Sequence, residues 1–212
     1  MEYIHNTEQF QFHNTVVALG KFDGMHKGHQ LIFDELIQYK QLGYQAAVFS
    51  FDRPPLNMLK HKHMRVIYTT NEKIKLLARR GIDIYIEHPF TDEFSHLSPE
   101  DFVIKVLLEK TGMKVLVVGD DCGFGYKRQG NVELLERMSK EYDFKLIVIP
   151  KLELEGEIVS STRIRRLLSE GKVEEANRLM EDPFMICGPV VHGNHMGAEV
   201  LQMPTANQIP LE

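Results

Sequence analysis

The chain has 212 residues, of which 43% are hydrophobic and 26% charged, and its formal net charge is −5 at pH 7. A chain of this length can bury a sizeable core and suits one full domain with part of a second. The net negative charge argues against a dedicated nucleic-acid binder, because phosphate backbones favour a basic surface. Any anionic ligand must therefore meet a local positive site.

The first residues and the two cysteines predict a cytoplasmic protein without membrane association. MEYIHNTEQF lacks the basic region and apolar core of a signal peptide. No window approaches the roughly 18 apolar residues of a membrane-spanning helix. Cys122 and Cys187 lie far apart, without the spacing of a zinc site or redox pair, and fit a reducing compartment.

Buried strands alternating with helical patterns predict an α/β fold. The five strand candidates read TVVAL from Thr15, QAAVFSF from Gln45, IDIYI from Ile82, KVLVVG from Lys114 and KLIVIP from Lys145. Continuous apolar runs of this kind are typical of strands buried on both faces. Their alternation with helices predicts right-handed βαβ crossovers and a doubly wound, Rossmann-like parallel sheet of about five strands.

Local signals also predict where the helices begin and end. Gly43 stands where the C-terminal cap of the first helix belongs. Thr69 and Glu72 form a capping box ahead of a second helix that ends at Gly81. Ser98 precedes Pro99 at the start of a third helix.

The stretch LGKFDGMHKGHQ, residues 19–30, predicts a phosphate site directly after the first strand. Gly20, Gly24 and Gly28 let the backbone turn tightly, and the following helix points free N–H groups at the same place. His26 and His29 are three residues apart, so both imidazoles could donate hydrogen bonds to a bound anion. The alternative is that one histidine caps the helix and the other is an exposed loop residue.

A second positive element lies far down the chain in VSSTRIRRLL, residues 159–168. Hydroxyls, backbone amides and guanidinium groups converge on one helix start there: Ser160, Ser161, Thr162, Arg163, Arg165 and Arg166. The helix dipole prefers acids at this end, so the arginines create a conflict that a bound polyphosphate would resolve. The alternative is a plain N-cap followed by solvated arginines.

Together these motifs carry a family resemblance. HxGH after the first strand with a late SSTxxR resembles the nucleotidyltransferase superfamily. GKFDGMHKGHQ, VVGDDCGFGYKRQGN and SSTRIRRLLSEGKVEEANRLM more closely resemble the FAD synthetase module of prokaryotic bifunctional riboflavin kinase/FMN adenylyltransferases. The resemblance runs through nearly the whole chain and implies transfer of AMP from Mg-ATP to FMN, giving FAD and pyrophosphate.

The resemblance also implies roles for individual residues, with Mg²⁺ as cofactor and ATP and FMN as substrates. Its catalytic residues would be His26, His29 and Arg165. Its ATP-binding residues would be Lys21, Phe22, Asp23, Gly24, Ser161, Thr162 and Arg163. Its flavin-binding residues would be Phe51, Asp120, Asp121 and Phe124, although an acidic turn that merely closes a strand is the alternative for the two aspartates. No dedicated protein metal site is predicted, and HKH with His61 and His63 is interpreted as a solvated basic loop.

Two departures from the family pattern concern the flavin region. Cys122 and Gly123 replace the phenylalanine and arginine of GDDFRFG, and Pro54-Pro55 replaces the usual His-Pro after the second strand. The flavin contacts therefore differ from the family pattern more than the ATP contacts do.

The predicted organisation is an adenylyltransferase domain over residues 1–182 and an incomplete riboflavin-kinase-like segment over residues 183–212. PTAN in that segment would supply Thr205 and Asn207, but Ala198, Glu199 and Gln202 replace the Gly, Arg and Gly of the family pattern. A segment this short cannot close a β-barrel, so kinase activity is not expected.

Two alternative functions of the chain stay open: an HxGH transferase for another phosphate acceptor, and a catalytically weak flavin- or nucleotide-binding regulatory protein.

Overall fold

The computed structural model describes residues 1–52, 66–191 and 207–209. Its central strands are β1 (Glu2–His5), β2 (Thr15–Leu19), β3 (Gln45–Phe51), β4 (Ile84–His88), β5 (Met113–Gly119) and β6 (Lys145–Ile149). They form one sheet in the order β1-β4-β3-β2-β5-β6, and every neighbouring pair is parallel. The predicted doubly wound α/β architecture is confirmed.

Helices connect these strands and cover both faces of the sheet. They are α1 (Lys27–Gln41), α2 (Thr70–Arg80), α3 (Asp92–Ser95), α4 (Pro99–Asp101, continuing as π-helical turns over Phe102–Lys110), α5 (Val132–Glu141), α6 (Ser161–Ser169) and α7 (Val173–Leu179). A 3₁₀ turn spans Tyr126–Arg128. Two small antiparallel pairs complete the described structure: β7 (Glu153–Leu154) with β8 (Glu157–Ile158), and β9 (Val190–Val191) with β10 (Asn207–Gln208).

The buried run TVVAL shows why the sheet has two cores. Val16 and Ala18 belong to an apolar cluster with residues of α1, α2, α6 and α7, whereas Val17 and Leu19 belong to a second cluster with residues of α4 and α5. Successive side chains of a strand point to opposite faces, so a strand covered on both sides must be apolar throughout.

The predicted helix boundaries are confirmed where the local signal was a cap. Thr69 Oγ1 accepts the Glu72 N–H, and Glu72 Oε2 accepts the Thr69 N–H at 2.8 Å, which completes the capping box. Gly81 ends α2 in the left-handed conformation with φ 92°. Ser98 caps the start of α4 by accepting the Asp101 N–H.

The structure adds a sixth strand that the sequence pattern did not predict. β1 is four residues long and half-exposed, so its pattern carries little signal. It pairs with β4, and the Tyr3 hydroxyl donates to Glu87 Oε2 at 2.6 Å. Burial alone would raise the Glu87 pKa, but hydrogen bonds from Tyr3 and the charge of Lys73 hold that pKa below its usual value.

Several sequence predictions lie outside the described residues. These are Pro54 and Pro55, the histidines His61 and His63, and the C-terminal positions Ala198, Glu199, Gln202 and Thr205. Asn207 lies in the described part, in β10, which pairs with β9. None of the helices in the described ranges is both long and apolar enough to span a lipid bilayer.

Leu36 tests the contribution of α1 to the fold. Its side chain is fully buried, whereas Leu42 at the end of the same helix is 71% exposed. We expect Leu36→Ala to lower the free energy of unfolding by about 2–5 kcal/mol, because it leaves a cavity. The matched control Leu42→Ala should change it by less than about 0.5 kcal/mol. Urea unfolding measures both, and equal effects would contradict the placement of α1.

Candidate active site

The carboxyl ends of β2 and β5 meet where the strand order reverses. The chain runs from β2 to β3 on one side, and β5 then joins β2 on the other. In open α/β sheets, ligands bind in the crevice at such a point. Residues 20–26 follow β2 and residues 120–131 follow β5, so both loops border this crevice.

The loop after β2 has a strained backbone on an apolar support. Phe22, Gly24 and Met25 all have positive φ angles, of 48°, 90° and 41°. Such strain costs on the order of 1–3 kcal/mol for each non-glycine residue and clusters at functional sites. The φ angle of Gly24 favours glycine at this position, and a Cβ there would also lie 2.8 Å from Cδ1 of Ile67. The buried Phe22 ring lies beneath His29, with the ring centroids 5.2 Å apart, and therefore supports the site from below.

His26 and His29 form a stacked pair at the entrance of α1. His26 is the N-cap, and its Nδ1 accepts the His29 backbone N–H at 3.3 Å. The two rings are 3.6 Å apart between centroids and 17° from parallel. A Cβ at Gly28 would lie 3.2 Å from His26 Nδ1, so this glycine leaves room for the ring. The capping role therefore belongs to His26, whereas His29 is partly buried rather than an exposed loop residue.

Both imidazoles are neutral at pH 7. Burial lowers the pKa of His26 to about 4. Burial, together with the neighbouring His26, lowers the pKa of His29 well below its usual value. Because Nδ1 of His26 accepts a hydrogen bond, its proton resides on Nε2, which can donate to a ligand. His29 Nδ1 is buried and has no hydrogen-bond partner within the described ranges.

Asp23 joins the two predicted phosphate elements. Its Oδ1 accepts the Ile67 N–H at 2.9 Å, and its Oδ2 lies 2.8 Å from Arg165 Nη2. The Ser161 hydroxyl donates to the Asp23 backbone carbonyl. The loop after β2 and the start of α6 therefore form one unit, although about 140 residues separate them in the chain.

The three arginines of α6 point to different partners. Arg165 pairs with Asp23 in the crevice, and its Nε is buried without a partner among the residues that the structure describes. Arg163 instead donates to the Leu154 carbonyl and pairs with Glu157 at 3.2 Å. The exposed Arg166 lies 3.6 Å from the same Glu157 carboxylate. Asp23 and Glu157 thus neutralise much of the positive charge at this helix start. The sequence pattern alone had suggested that a bound polyphosphate would do so.

The hydroxyl residues of α6 have different environments. Ser160 is the N-cap and accepts the Arg163 N–H. Ser161 is tied to the loop after β2 through Asp23, whereas Thr162 is exposed. Thr162 is therefore the hydroxyl at this helix start that is most open to a ligand.

Lys21 brings a further positive charge to the crevice. Burial lowers its pKa, and the neighbouring charges of Arg128 and Arg165 lower it further. Arg128 lies in the loop after β5 and was not among the predicted site residues. Its role could not be found from a motif, because the sequence does not show that this loop approaches Lys21.

The loop after β5 offers two acidic side chains. Asp120 Oδ2 accepts the Lys151 N–H at 3.2 Å, and Asp121 Oδ2 lies 3.2 Å from Lys151 Nζ. Burial raises the pKa of Cys122 to about 11, so this thiol stays protonated at neutral pH. Phe124 is only 6% exposed and packs against Phe102 in the core, so its ring has little surface left for a ligand.

Phe51 belongs to an aromatic cluster at the ends of β3 and β4. Its ring centroid lies 5.3 Å from Phe90 and 5.7 Å from Phe94. His88 packs in the same cluster and is 1% exposed, and its Nε2 has no partner among the described residues. Flat rings with an apolar body pack well against such clusters.

The structure thus separates the predicted site residues into groups. Around the crevice it places Lys21, Phe22, Asp23, Gly24, His26, His29, Ser161, Thr162 and Arg165. Arg163 lies against the β7–β8 hairpin, and Phe51 lies in the aromatic cluster. No group of three or more His, Cys, Asp or Glu side chains in the described ranges is arranged to hold a metal ion.

A comparison with family models gives a match to FAD synthetase over residues 8–163. The chain belongs to the FAD synthetase family. The chain is 39% identical over 207 residues to a bifunctional riboflavin kinase/FMN adenylyltransferase of Buchnera aphidicola, covering 96% of this chain. It is 32% identical over 191 residues to a FAD synthetase of Listeria monocytogenes, covering 89% of this chain and 77% of the relative.

Coverage and structural likeness complete the comparison. This chain spans 66% of the length of the Buchnera relative. A crystal structure from Streptococcus pneumoniae, described as a macrolide-efflux protein, matches with a TM-score of 0.83 and 31% identity. That match covers 99% of this chain and 69% of the other. The nearly complete overlap supports the α/β fold of this chain.

The His26 pKa predicts acid lability of the fold. The unfolded chain binds a proton near pH 6.5, whereas folded His26 does so only near pH 4, so stability falls as pH drops between these values. The loss attributable to His26 is on the order of 3 kcal/mol. His26→Asn keeps a capping oxygen but cannot titrate, so we expect a smaller loss in that variant. Urea unfolding at several pH values measures both, and identical profiles would contradict the assigned pKa.

Proposed function

We propose that this chain transfers AMP from ATP to FMN, giving FAD and pyrophosphate. One observation carries the proposal: Asp23 joins the histidine loop and the Arg165 helix start into a single unit at the switch point, where N–H donors and positive charge suit an anionic ligand. The names of the relatives support the same activity. Membership of the FAD synthetase family narrows the choice among HxGH transferases.

In this reaction the FMN phosphate oxygen attacks the α-phosphorus of ATP, and the bond from that phosphorus to the bridging oxygen of pyrophosphate breaks. The protein supplies positioning and charge stabilisation, because no covalent intermediate is needed. His26 would donate from Nε2 to the triphosphate, as its Nδ1 is occupied by the His29 N–H. His29 would present its own N–H beside it, since the two rings are stacked.

The start of α6 would hold the phosphates that leave. Thr162 is exposed there, and the Arg165 Nε is buried without a partner in the described part of the chain, so both have hydrogen-bonding capacity left. Asp23 keeps the Arg165 guanidinium oriented toward the loop. A guanidinium held in one orientation loses less entropy when it binds a phosphate.

Mg²⁺ is proposed to enter with ATP rather than from a protein cage. Mg²⁺ keeps several waters and is usually bound through substrate phosphates plus one or two carboxylates. The Asp23 carboxylate is engaged by backbone N–H groups and Arg165, and Asp121 pairs with Lys151. The metal would neutralise charge on the triphosphate, and the described residues supply the N–H donors.

The flavin would extend from the crevice along the carboxyl ends of the strands. Asp120 and Asp121 are exposed in the loop after β5 and could accept hydrogen bonds from ribityl hydroxyls. Phe51 and its aromatic neighbours offer an apolar surface for the ring system. We further propose that residues 1–182 form the transferase unit and that residues 183–212 begin a separate one.

Acceptor specificity separates this proposal from its rivals. A transferase for another phosphate acceptor would turn over nicotinamide mononucleotide, pantetheine phosphate or glycerol phosphate in place of FMN. A regulatory homologue would bind ATP or flavin without forming FAD. Incubating the protein with Mg-ATP and each acceptor, and measuring pyrophosphate release, distinguishes all three, and absence of turnover with FMN would refute our choice.

His29 provides the sharpest test of the phosphate site. We expect His29→Ala to lower kcat for FAD formation by about 10²- to 10³-fold, because one transition-state donor is lost. The exposed His13, which lies just before β2, supplies the control, and His13→Ala should leave kcat unchanged. Chromatographic detection of FAD measures both variants. A His29→Ala enzyme with normal kcat would show that the pair only shapes the helix entrance.

A further inference from the structure

Arg128 takes up the space that a side chain at position 123 would occupy. A Cβ built on Gly123 would lie 2.7 Å from Arg128 Nη2, 2.9 Å from its Nε and 3.0 Å from its Cζ. The guanidinium plane therefore lies directly over the glycine backbone. Nη2 also lies 3.5 Å from the Asp121 carbonyl oxygen, which is a weak contact.

The loop holds Arg128 in this position at a cost in backbone strain. Lys127 and Arg128 have φ angles of 51° and 60°, a conformation that non-glycine residues rarely adopt. The Arg128 N–H donates to the Gly125 carbonyl, and Phe124 and Gly130 exchange backbone hydrogen bonds of 3.2 and 2.9 Å across the loop. The Gln129 N–H also donates to the Tyr126 carbonyl, so a hydrogen-bonded turn holds Arg128 in place.

The charge of Arg128 faces the crevice without a neutralising carboxylate. Within the described ranges no acidic side chain forms an ion pair with it, whereas Arg163, Arg165 and Arg166 each have one. Its charge acts on Lys21, whose pKa is lowered first by burial and then by the charge of Arg128. Lys21 follows β2 and Arg128 follows β5, so the two cations flank the switch point.

We propose that Arg128 binds the phosphate of the acceptor FMN and so distinguishes FMN from riboflavin. The proposed partners of the triphosphate belong to other segments, namely His26 and His29 at the entrance of α1 and Arg165 on α6. Arg128 shares its loop with Asp120 and Asp121, the candidates for the ribityl chain. A phosphate at the end of that chain would reach a guanidinium, which binds phosphate through two parallel N–H groups. A cation there also reduces the repulsion between the two reacting anions.

The test compares binding of two flavins to the purified chain. This proposal rests on the proposed function, because it takes FMN as the acceptor. We expect Arg128→Gln to weaken FMN binding roughly 10- to 100-fold, since a charge-assisted hydrogen bond to phosphate is lost. Riboflavin binding should stay unchanged, as should KM for ATP. Flavin fluorescence titration measures binding without turnover, and Arg128→Lys should recover part of the FMN affinity.

Two further variants make the test specific. Lys127→Gln is the matched control, because the Lys127 ammonium lies over the Tyr126 ring at 4.9 Å and is not part of the site. Gly123→Ala should weaken FMN binding by displacing the guanidinium. In the Arg128→Gln background the same alanine should have little further effect, because both changes act on one contact.

The outcomes separate this proposal from the proposed function. If the unchanged protein forms FAD but Arg128→Gln binds FMN as tightly, the role of Arg128 is refuted and the activity stands. Equal weakening of FMN and riboflavin would indicate a merely structural role and would also refute it. If the unchanged protein forms no FAD but Arg128→Gln selectively weakens FMN binding, the proposed function fails and the binding role of Arg128 survives.

Discussion

The Asp23 carboxylate is the contact on which the whole candidate site depends. It accepts backbone N–H groups from Ile67 and Tyr68, which lead into α2, and it pairs with Arg165 on α6. Three segments far apart in the chain therefore meet at one side chain. The histidine loop is strained and has little regular structure, so it depends on these distant contacts for its shape. The candidate site can form only when the fold around it is complete.

The charge at the crevice is positive, although the net charge of the chain is negative. The protein is acidic as a whole, with a net charge of −5, yet Lys21, Arg128 and Arg165 gather at one edge of the sheet. Burial lowers the Lys21 pKa, and the charges of Arg128 and Arg165 lower it further. His26 and His29 add no positive charge at the crevice, because burial keeps both imidazoles neutral. Each ring still has an N–H group that can donate a hydrogen bond. An anion that enters meets both fixed positive charge and neutral donors, which is the arrangement that phosphoryl chemistry requires.

Local signals in the sequence predicted the central fold well. Caps such as Thr69 with Glu72, and buried runs such as TVVAL, depend on neighbouring residues and can be found without a structure. Strand β1 escaped prediction because its place is decided by its partner β4. The π-helical turns of α4 carried no recognisable local signal.

Side-chain partners of the site were harder to predict than its motifs. The sequence could not show which partner each of the three arginines of α6 has, since those partners lie in the β7–β8 hairpin and at Asp23. It also left Phe124 free for a ligand, whereas tertiary packing buries that ring. Arg128 escaped notice because its approach to Lys21 depends on how two loops meet in space.

The ion pair between Asp23 and Arg165 offsets the cost of burying charge at the candidate site. A partly buried guanidinium without a partner is costly, and Asp23 removes that cost by an ion pair at 2.8 Å. The pair engages Nη2 and leaves Nε unsatisfied among the described residues. Under the proposed function, Asp23 thus has two roles: it joins the two segments of the site, and it orients the guanidinium that would bind a phosphate.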